Sequence, residues 1–354
     1  MKKTIKFATI SLIMAITLIL TTSCNKEEEK VAKMTMTTAK EGLVRIALSG
    51  TGTAVINWGD GAPNETVTFT GSITRYSHTY AGTTAHTITI IGDDIMSFWC
   101  GSDPSYNGDI FNNQLISLDV NENSALTRLN CNYNELKNLD LSKNPALTDL
   151  YCDHNELKNL DLSKNPALTY LACNNNRLTT LDLSKNPVLT DLYCDDNELN
   201  NLDVSKNPAL SILICGNNQL TAFDLSKNPV LIMLLCPNNE LNNLDLSKNP
   251  ALTRLDCYHN KLNNLNVSKN QALSILNCFN NQLTSLDLSK NPVLTLVNIM
   301  QNLFEAEIEG KGLNPLFRTL HSNIKEFKAI VIEWNPGTAA CDPSIALAKG
   351  WSVL

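Results

Sequence analysis

This sequence of 354 residues is short of several things, and each shortage removes a class of function. There is no basic tract: 35 Asp and Glu outweigh 28 Lys and Arg, for a net charge of -7. A nucleic acid or an anionic membrane surface is therefore a poor partner. No H-E-x-x-H, no G-x-S-x-G and no phosphate-cradling glycine loop occurs. The five histidines (His78, His86, His154, His259 and His321) are scattered. His154 and His259 share one repeat position but lie five repeats apart, so they cannot act together. These absences imply a non-enzyme with no cofactor and no metal. A membrane-spanning helix needs about 20 apolar residues, and the one candidate run, Phe7–Leu20, is too short.

That run has another reading. Lys2, Lys3 and Lys6 precede it and Thr21-Thr22-Ser23-Cys24 follows, which is the layout of a secretory signal peptide over residues 1–23. The Ser23-Cys24 ending resembles a bacterial lipobox. The resemblance implies cleavage before Cys24, lipid on that cysteine and a tether over residues 24–33. The alternative is ordinary signal cleavage that leaves Cys24 as a spare thiol. Asn25-Lys26-Glu27-Glu28-Glu29-Lys30 reads as a solvated charged stretch. It resembles the acidic export tag of Bacteroidota-type lipoproteins, which implies an outer-membrane protein exposed on the cell surface and held there by its lipid.

Eleven cysteines in an exported chain would suggest disulfides, but their spacing argues otherwise. Eight of them, Cys131, Cys152, Cys173, Cys194, Cys215, Cys236, Cys257 and Cys278, recur every 21 residues. The asparagines from Asn134 to Asn281 and the leucines from Leu129 to Leu276 keep the same step, in a unit L-T-x-L-x-C-x-x-N-x-L-x-x-L-D-L-S-K-N-P-A. Such a period with L-x-x-L-x-L-x-x-N resembles the leucine-rich repeat, over residues 95–302. In a short strand Leu129 and Cys131 share one face while residues 128 and 130 take the other. Stacked in register, such strands make a parallel sheet with a column of leucines beside a column of thiols. Each asparagine column is placed to satisfy backbone groups where the coil turns. Neighbouring thiols would lie about 4.8 Å apart and point the same way, which is poor geometry for a disulfide. A single file cannot surround a metal tetrahedrally either. The column is read as buried free thiols. Because the unit is nearly doubled, a second strand-like edge is expected at Leu139–Leu141, opposite the Cys strand, with the concave sheet on the Cys half. Ile95, Phe98 and Cys100 fit the strand pattern of a first coil, while Asn113-x-Leu115 arrives ten residues late, so a loop is inserted over 101–110.

Residues 34–94 switch to β-branched alternation at Leu43–Leu48, Ala54–Trp58, Thr66–Thr70 and His86–Ile91, which predicts a small antiparallel sandwich. Trp58-Gly59-Asp60-Gly61 and His78-Thr79-Tyr80 resemble signatures of PKD-like, immunoglobulin-type domains, and Asp60-Gly61 suits a hairpin turn. The sandwich is expected to cap the first coil. Residues 303–354 read as a C-terminal cap: a helix over Leu313–Ser322, a strand over Phe327–Trp334, a turn at Asn335-Pro336-Gly337, a short helix over Asp342–Lys349, and Trp351–Leu354. The expected fold class is therefore mostly β: a leucine-rich-repeat solenoid of 21-residue coils, a small PKD/Ig-like N-terminal sandwich and an α/β cap.

The L-D-L-S-K-N-P edge is nearly identical in every copy, and its Asp and Lys columns are read as neutralising one another on a solvated edge. The outward positions of the Cys strand diverge. Asp149, Tyr151, Tyr170, Asp191 and Tyr193, with Asp153 and Asp195 nearby, form an acidic, tyrosine-bearing zone. Ile212, Ile214, Met233 and Leu235 form an apolar one, to which Ile275 is added. Apolar patches of this kind mark interaction sites, and tyrosine is favoured at interfaces. The leading reading is a surface module, resembling internalin-like proteins, that binds a protein partner through this face. The rivals are a glycan-binding accessory protein, with the three tyrosines as sugar platforms, and a structural spacer.

Overall fold

The computed structural model describes residues 32–92, 94–102, 112–323 and 327–354. The signal peptide, Cys24, nearly all of the tether and most of the loop expected at 101–110 lie outside the described residues. The N-terminal part contributes β1 (Lys33–Thr38), β2 (Gly42–Gly50), β3 (Thr53–Asn57), β4 (Glu65–Thr68), β5 (Thr74–Tyr80) and β6 (His86–Gly92). Strands β1 and β5 add to the four segments expected from alternation. Both carry the period-2 burial of half-covered strands, but their polar Thr, Ser and Lys positions mask it in sequence. The turn expected at Asp60-Gly61 is instead a longer loop. Ile56 pairs with Glu65 across it, and Trp58 turns inward, where the Tyr80 hydroxyl donates to its carbonyl at 2.5 Å. Gly59 sits in that loop at φ +80, and a Cβ there would meet the Thr87 carbonyl oxygen at 2.3 Å.

The first coil supplies β7 (Ile95–Trp99) on its front edge and β8 (Leu115–Asp119) on its back edge. Each edge is taken up by a different sheet. β7 lies antiparallel to β2, with Leu48 opposite Phe98, and parallel to β9 (Arg128–Asn130), with Phe98 opposite Leu129. β8 lies antiparallel to β1, with Met36 opposite Leu118. The five-stranded sheet therefore runs β4-β3-β6-β1-β8, and the other sheet passes from β5, β2 and β7 directly into the solenoid. A two-layered sandwich and a two-edged coil share both layers, so one hydrophobic core runs through both.

Beyond β9 the front edge repeats as β10 (Asp149–Tyr151), β11 (Tyr170–Ala172), β12 (Asp191–Tyr193), β13 (Ile212–Ile214), β14 (Met233–Leu235), β15 (Arg254–Asp256), β16 (Ile275–Asn277) and β17 (Leu296–Asn298). All pair in parallel and in register, so Leu129, Leu150, Leu171, Leu192, Leu213, Leu234, Leu255 and Leu276 form one buried column. Cys100 and the eight periodic cysteines are buried free thiols. Burial pushes the Cys278 thiol up to about 12.

The back edge is not a second ladder of strands. Leu139 and Leu141 are buried but unpaired as strands, and tight turns follow them in each repeat. Only β8 becomes a strand on that edge, because only the first coil has β1 to pair with. The later coils are joined there by side chains. Asn186 Nδ2 donates to the carbonyls of Leu162 (3.2 Å) and Asn165 (2.9 Å) in the preceding coil, while its Oδ1 has no partner. The Asp column serves the same turn. Asp182 Oδ1 accepts from the Ser184 amide at 2.8 Å, and this bond, ahead of the Lys185 charge, holds its carboxyl below the usual range. Asx-turn geometry therefore outweighs Asp–Lys neutralisation as the reason for that column.

The front asparagine column is fully bonded. Asn197 Nδ2 donates to the carbonyls of Cys173 (3.0 Å), Cys194 (3.2 Å) and Asp195 (3.2 Å), and its Oδ1 accepts from the Leu178 amide at 2.9 Å. Just before it, Asp196 takes a left-handed φ of 52, as the same position does in every regular coil. Asn, Asp and His fill most of these positions, the residue types that tolerate that region. The column begins at Asn113, whose Oδ1 accepts from the Arg45 amide (3.1 Å) and whose Nδ2 donates to the Cys100 carbonyl (2.9 Å). It ends at Asn335, whose Nδ2 bonds the carbonyls of Ile299 (3.0 Å) and Ile332 (2.8 Å).

The C-terminal segment prolongs the ladder with β18 (Ala329–Val331) and β19 (Ser352–Val353), each parallel to the strand before it. Two short helices, α1 (Leu313–Thr319) and α2 (Ser344–Leu347), replace the back edge. Leu316, Phe317 and Trp351 close the core beneath them. Lys328 is buried here and donates to the carbonyls of Asn323 (2.9 Å) and Lys349 (2.7 Å).

Removing the Asn197 carboxamide strands three carbonyls and one amide in the core. Asn197→Ala should destabilise the chain by about 3 kcal/mol, read as a lower urea midpoint. Asp203→Asn should leave that midpoint in place at pH 7, because Asn266 already makes the same turn bond at 3.0 Å. The buried thiols, Cys100 to Cys278, should resist iodoacetamide in the folded chain and all react in urea. Alkylation of any of them in the folded state would show that the ladder opens.

Candidate functional site: the outer face of the strand ladder

Register alone places the outward side chains. In the first column Asp149, Tyr170, Asp191, Ile212, Met233, Arg254 and Ile275 stand side by side, and in the second Tyr151, Ala172, Tyr193, Ile214, Leu235 and Asp256 do. Nearly all are half-buried, because each is flanked by its neighbours about 4.8 Å away.

The three tyrosines interlock. Tyr170 lies 4.7 Å from Tyr151 and 5.3 Å from Tyr193, centroid to centroid. Tyr151 and Tyr193 flank Ala172 in the second column, and that small residue gives the Tyr170 ring its room. A fourth ring was not anticipated from sequence. Trp99, on β7, stands in the second column and comes within 6.4 Å of Tyr151. Counting one residue back from Cys100, as Asn130 precedes Cys131, would have found it. Burial first, then the neighbouring phenols, raises the Tyr170 pKa above the ordinary range.

Carboxylates line the same strip. Asp149 accepts from Thr148 Oγ1 (2.6 Å) and lies 3.5 Å from Arg128 Nε. Asp191 accepts from Thr190 Oγ1 at 2.5 Å. Asp153 approaches His154 Nδ1 at 2.9 Å. Among the described residues, no cation pairs with Asp195. Burial first, then a hydrogen bond with Asp196 and the charges of Asp196 and Asp153, pushes its carboxyl up to about 6.

The apolar zone is compact. Ile212 is opposite Met233 and Ile214 opposite Leu235. Gly216 and Pro237 extend it in the next outward position, where a Cβ on Gly216 would meet the Pro237 ring at 2.8 Å. Ile232, at 45% exposure, borders it. Ile275 does not join this zone. Strand β15 intervenes, and there Arg254 and Asp256 bind each other at 2.7 Å, so Ile275 neighbours Leu296 instead. Beside it Tyr258 and Phe279 stack at 4.6 Å, with His259 edge-on to both rings. This aromatic cluster was also not anticipated, since it sits one position beyond the two columns that the alternation singles out.

Among the described residues, no group of three or more His, Cys, Asp or Glu side chains could hold a metal ion. Nor is any described helix long and apolar enough to cross a membrane. Shallow grooves lie on the opposite edge, one of them lined by Leu181, Asp182, Asn201, Asp203 and Lys206. Those residue types recur from coil to coil and distinguish no site.

No protein-family profile matches the sequence. No curated protein matches it either. Solved structures do. The functional domain of InlJ from Listeria monocytogenes, which includes a cysteine ladder, is 35% identical over 65% of this chain and 49% of its own, with a TM-score of 0.57. The solenoid is a leucine-rich-repeat fold. The internalin inlF from Listeria monocytogenes matches at 17% identity over 73% of this chain and 86% of its own, with a TM-score of 0.51. LRIM1/APL1C, solved as a complex, matches at 24% identity over 60% and 40%, with a TM-score of 0.50. These last two likenesses are of fold alone. The present leucine-rich-repeat chain spans about half the length of the InlJ chain.

The carboxyl of Asp195 has a consequence for stability. A carboxyl raised in the folded chain disfavours folding once it ionises there, so the penalty grows from about pH 4, where the unfolded carboxyl titrates, to the folded value of about 6. Asp195→Asn should therefore raise the thermal midpoint at pH 7.5 by a few degrees, after allowance for solvent screening. At pH 4 it should change little. An equal rise at both values would show that the gain is not electrostatic.

Proposed function

We propose that this leucine-rich-repeat chain is a cell-surface lipoprotein, anchored through Cys24 in the outer membrane, that binds a protein partner through the outer face of its strand ladder and catalyses nothing. The PKD-like sandwich is its N-terminal cap, and residues 303–354 close the other end. The observation that carries the reading is the contrast between the two edges of one coil. The back edge is copied almost unchanged. On the front, Ile212, Ile214, Met233 and Leu235 form an outward apolar patch on adjacent strands, next to interlocked tyrosines. Outward apolar clusters rimmed by polar groups mark interaction surfaces, and no packing need of the solenoid requires these four. A second reading, glycan binding, draws on the row of rings, which Trp99 lengthens to four.

The test is capture of candidate ligands by the wild-type chain and by an Ile214→Asp/Leu235→Asp variant, with extracellular proteins and polysaccharides offered in parallel. Both substitutions point outward, so the fold should persist by circular dichroism. Loss of protein capture in the variant is the expected outcome. Unchanged capture, or capture of polysaccharide alone, would overturn the protein-partner reading at this face.

A further inference from the structure

The charges on the tyrosine-bearing half of the face are unbalanced. Asp149 and Asp153 lie on the coil of β10 and Asp191, Asp195 and Asp196 on that of β12, two coils on, and among the described residues the one arginine or lysine in ion-pair reach of them is Arg128, at the edge. Thr148 and Thr190 hydroxyls hold Asp149 and Asp191 in place. Asp195 and Asp196 follow one another on the same turn, beside Asp153 two coils away. The solenoid has no structural use for this arrangement, since its turns are served by the separate Asp column on the back edge. Tyr151, Tyr170 and Tyr193 present ring faces and edges between the carboxylates, and an aromatic face attracts a guanidinium or ammonium group. A neutral sugar would stack on the rings and donate to the carboxylates but leave their charge unbalanced. A cationic side chain answers both features.

We infer that the tyrosine half of the strand face seats a lysine- or arginine-bearing extended segment of a protein partner, its cationic heads held between rings and carboxylates and its apolar side chains lying on Ile212, Ile214, Met233 and Leu235. This rests on the protein-partner reading and specifies the partner's chemistry. From β10 to β14 the ladder spans about 19 Å, the length of about six residues of extended chain. Such a segment crosses both zones without bending. The acidic end selects the partner's charge and speeds its approach. The apolar end supplies burial on docking.

The inference is tested by fluorescence anisotropy on the full chain with three probes: a labelled peptide of four Arg-Leu repeats, the matching Glu-Leu peptide, and a neutral cello-oligosaccharide. Two variants accompany the wild type, Asp149→Asn/Asp191→Asn/Asp195→Asn and Tyr170→Ala. The carboxamide variant removes like-charge repulsion, so a thermal midpoint no lower than that of the wild type confirms that it folds. The Arg-Leu peptide should bind the wild type, lose at least about tenfold in affinity with the carboxamide variant, weaken with Tyr170→Ala, and weaken with added salt. Equal affinity for the carboxamide variant, or equal binding of the Glu-Leu peptide, overturns the inference. If neither peptide binds while protein capture still depends on Ile214 and Leu235, the cationic inference falls and the protein-partner reading stands. If the oligosaccharide alone binds, and Tyr170→Ala abolishes it, both fall.

Discussion

One carboxamide per coil holds the front of this molecule together. A coil of 21 residues cannot bury its own apolar side, and it must turn sharply out of a three-residue strand. The turn leaves backbone groups inside the core. The asparagine three residues after each cysteine satisfies them, donating its amide hydrogens to carbonyls of its own coil and the preceding one, while its oxygen accepts from the amide of a leucine in the preceding coil. Each rung therefore ties a coil to its predecessor as well as to itself. Stability passes along the array by neighbour contact, and the chain tolerates wide variation at any position these bonds do not touch.

The ends follow from the same need. The first rung, Asn113, has no regular coil before it and bonds Arg45 of the sandwich instead. On the back edge Asn123 reaches the carbonyl of Ile95 at 2.9 Å, where later coils reach a preceding back turn. With β7 and β8 each drawn into a different sheet, the sandwich presents the coil with the surface that a preceding repeat would offer. At the other end Asn335 closes the column, and the helices α1 and α2 with Trp351 cover the leucine core.

With structure assigned to leucine, thiol and asparagine, the outward positions of the front strands are free to differ. They differ in blocks: carboxylates with interlocked tyrosines, then an apolar patch with a flat Gly216–Pro237 border, then a self-satisfied Arg254–Asp256 pair beside a stacked Tyr258–Phe279 cluster. A parallel in-register ladder turns each such block into a continuous surface, because residues 21 apart in sequence become neighbours in space. The back edge has no such freedom. Its Asp and Asn positions are occupied by turn bonds, so only residues that make the same bonds, as Asn266 does in place of Asp, fit there.

The coil length, the inward leucine and cysteine columns, the asparagine ladder and the outward columns were determined by the sequence alone. They depend on period-2 alternation within a strand and exact repetition between coils, both local properties. Three matters were decided only by tertiary structure. The back edge forms turns rather than strands, because pairing there needs a partner and only β8 meets one in β1. Trp99 meets Tyr151, and Ile275 leaves the apolar patch, because ring contact and ion pairing depend on which side chains reach across the register; spacing puts Trp99 in the outward column but does not show that its ring reaches another. The sandwich and solenoid share both sheets, because β7 pairs with β2 on one side and β9 on the other while β8 pairs with β1. Local spacing dictates which way a residue faces. What it meets there depends on where distant chain returns.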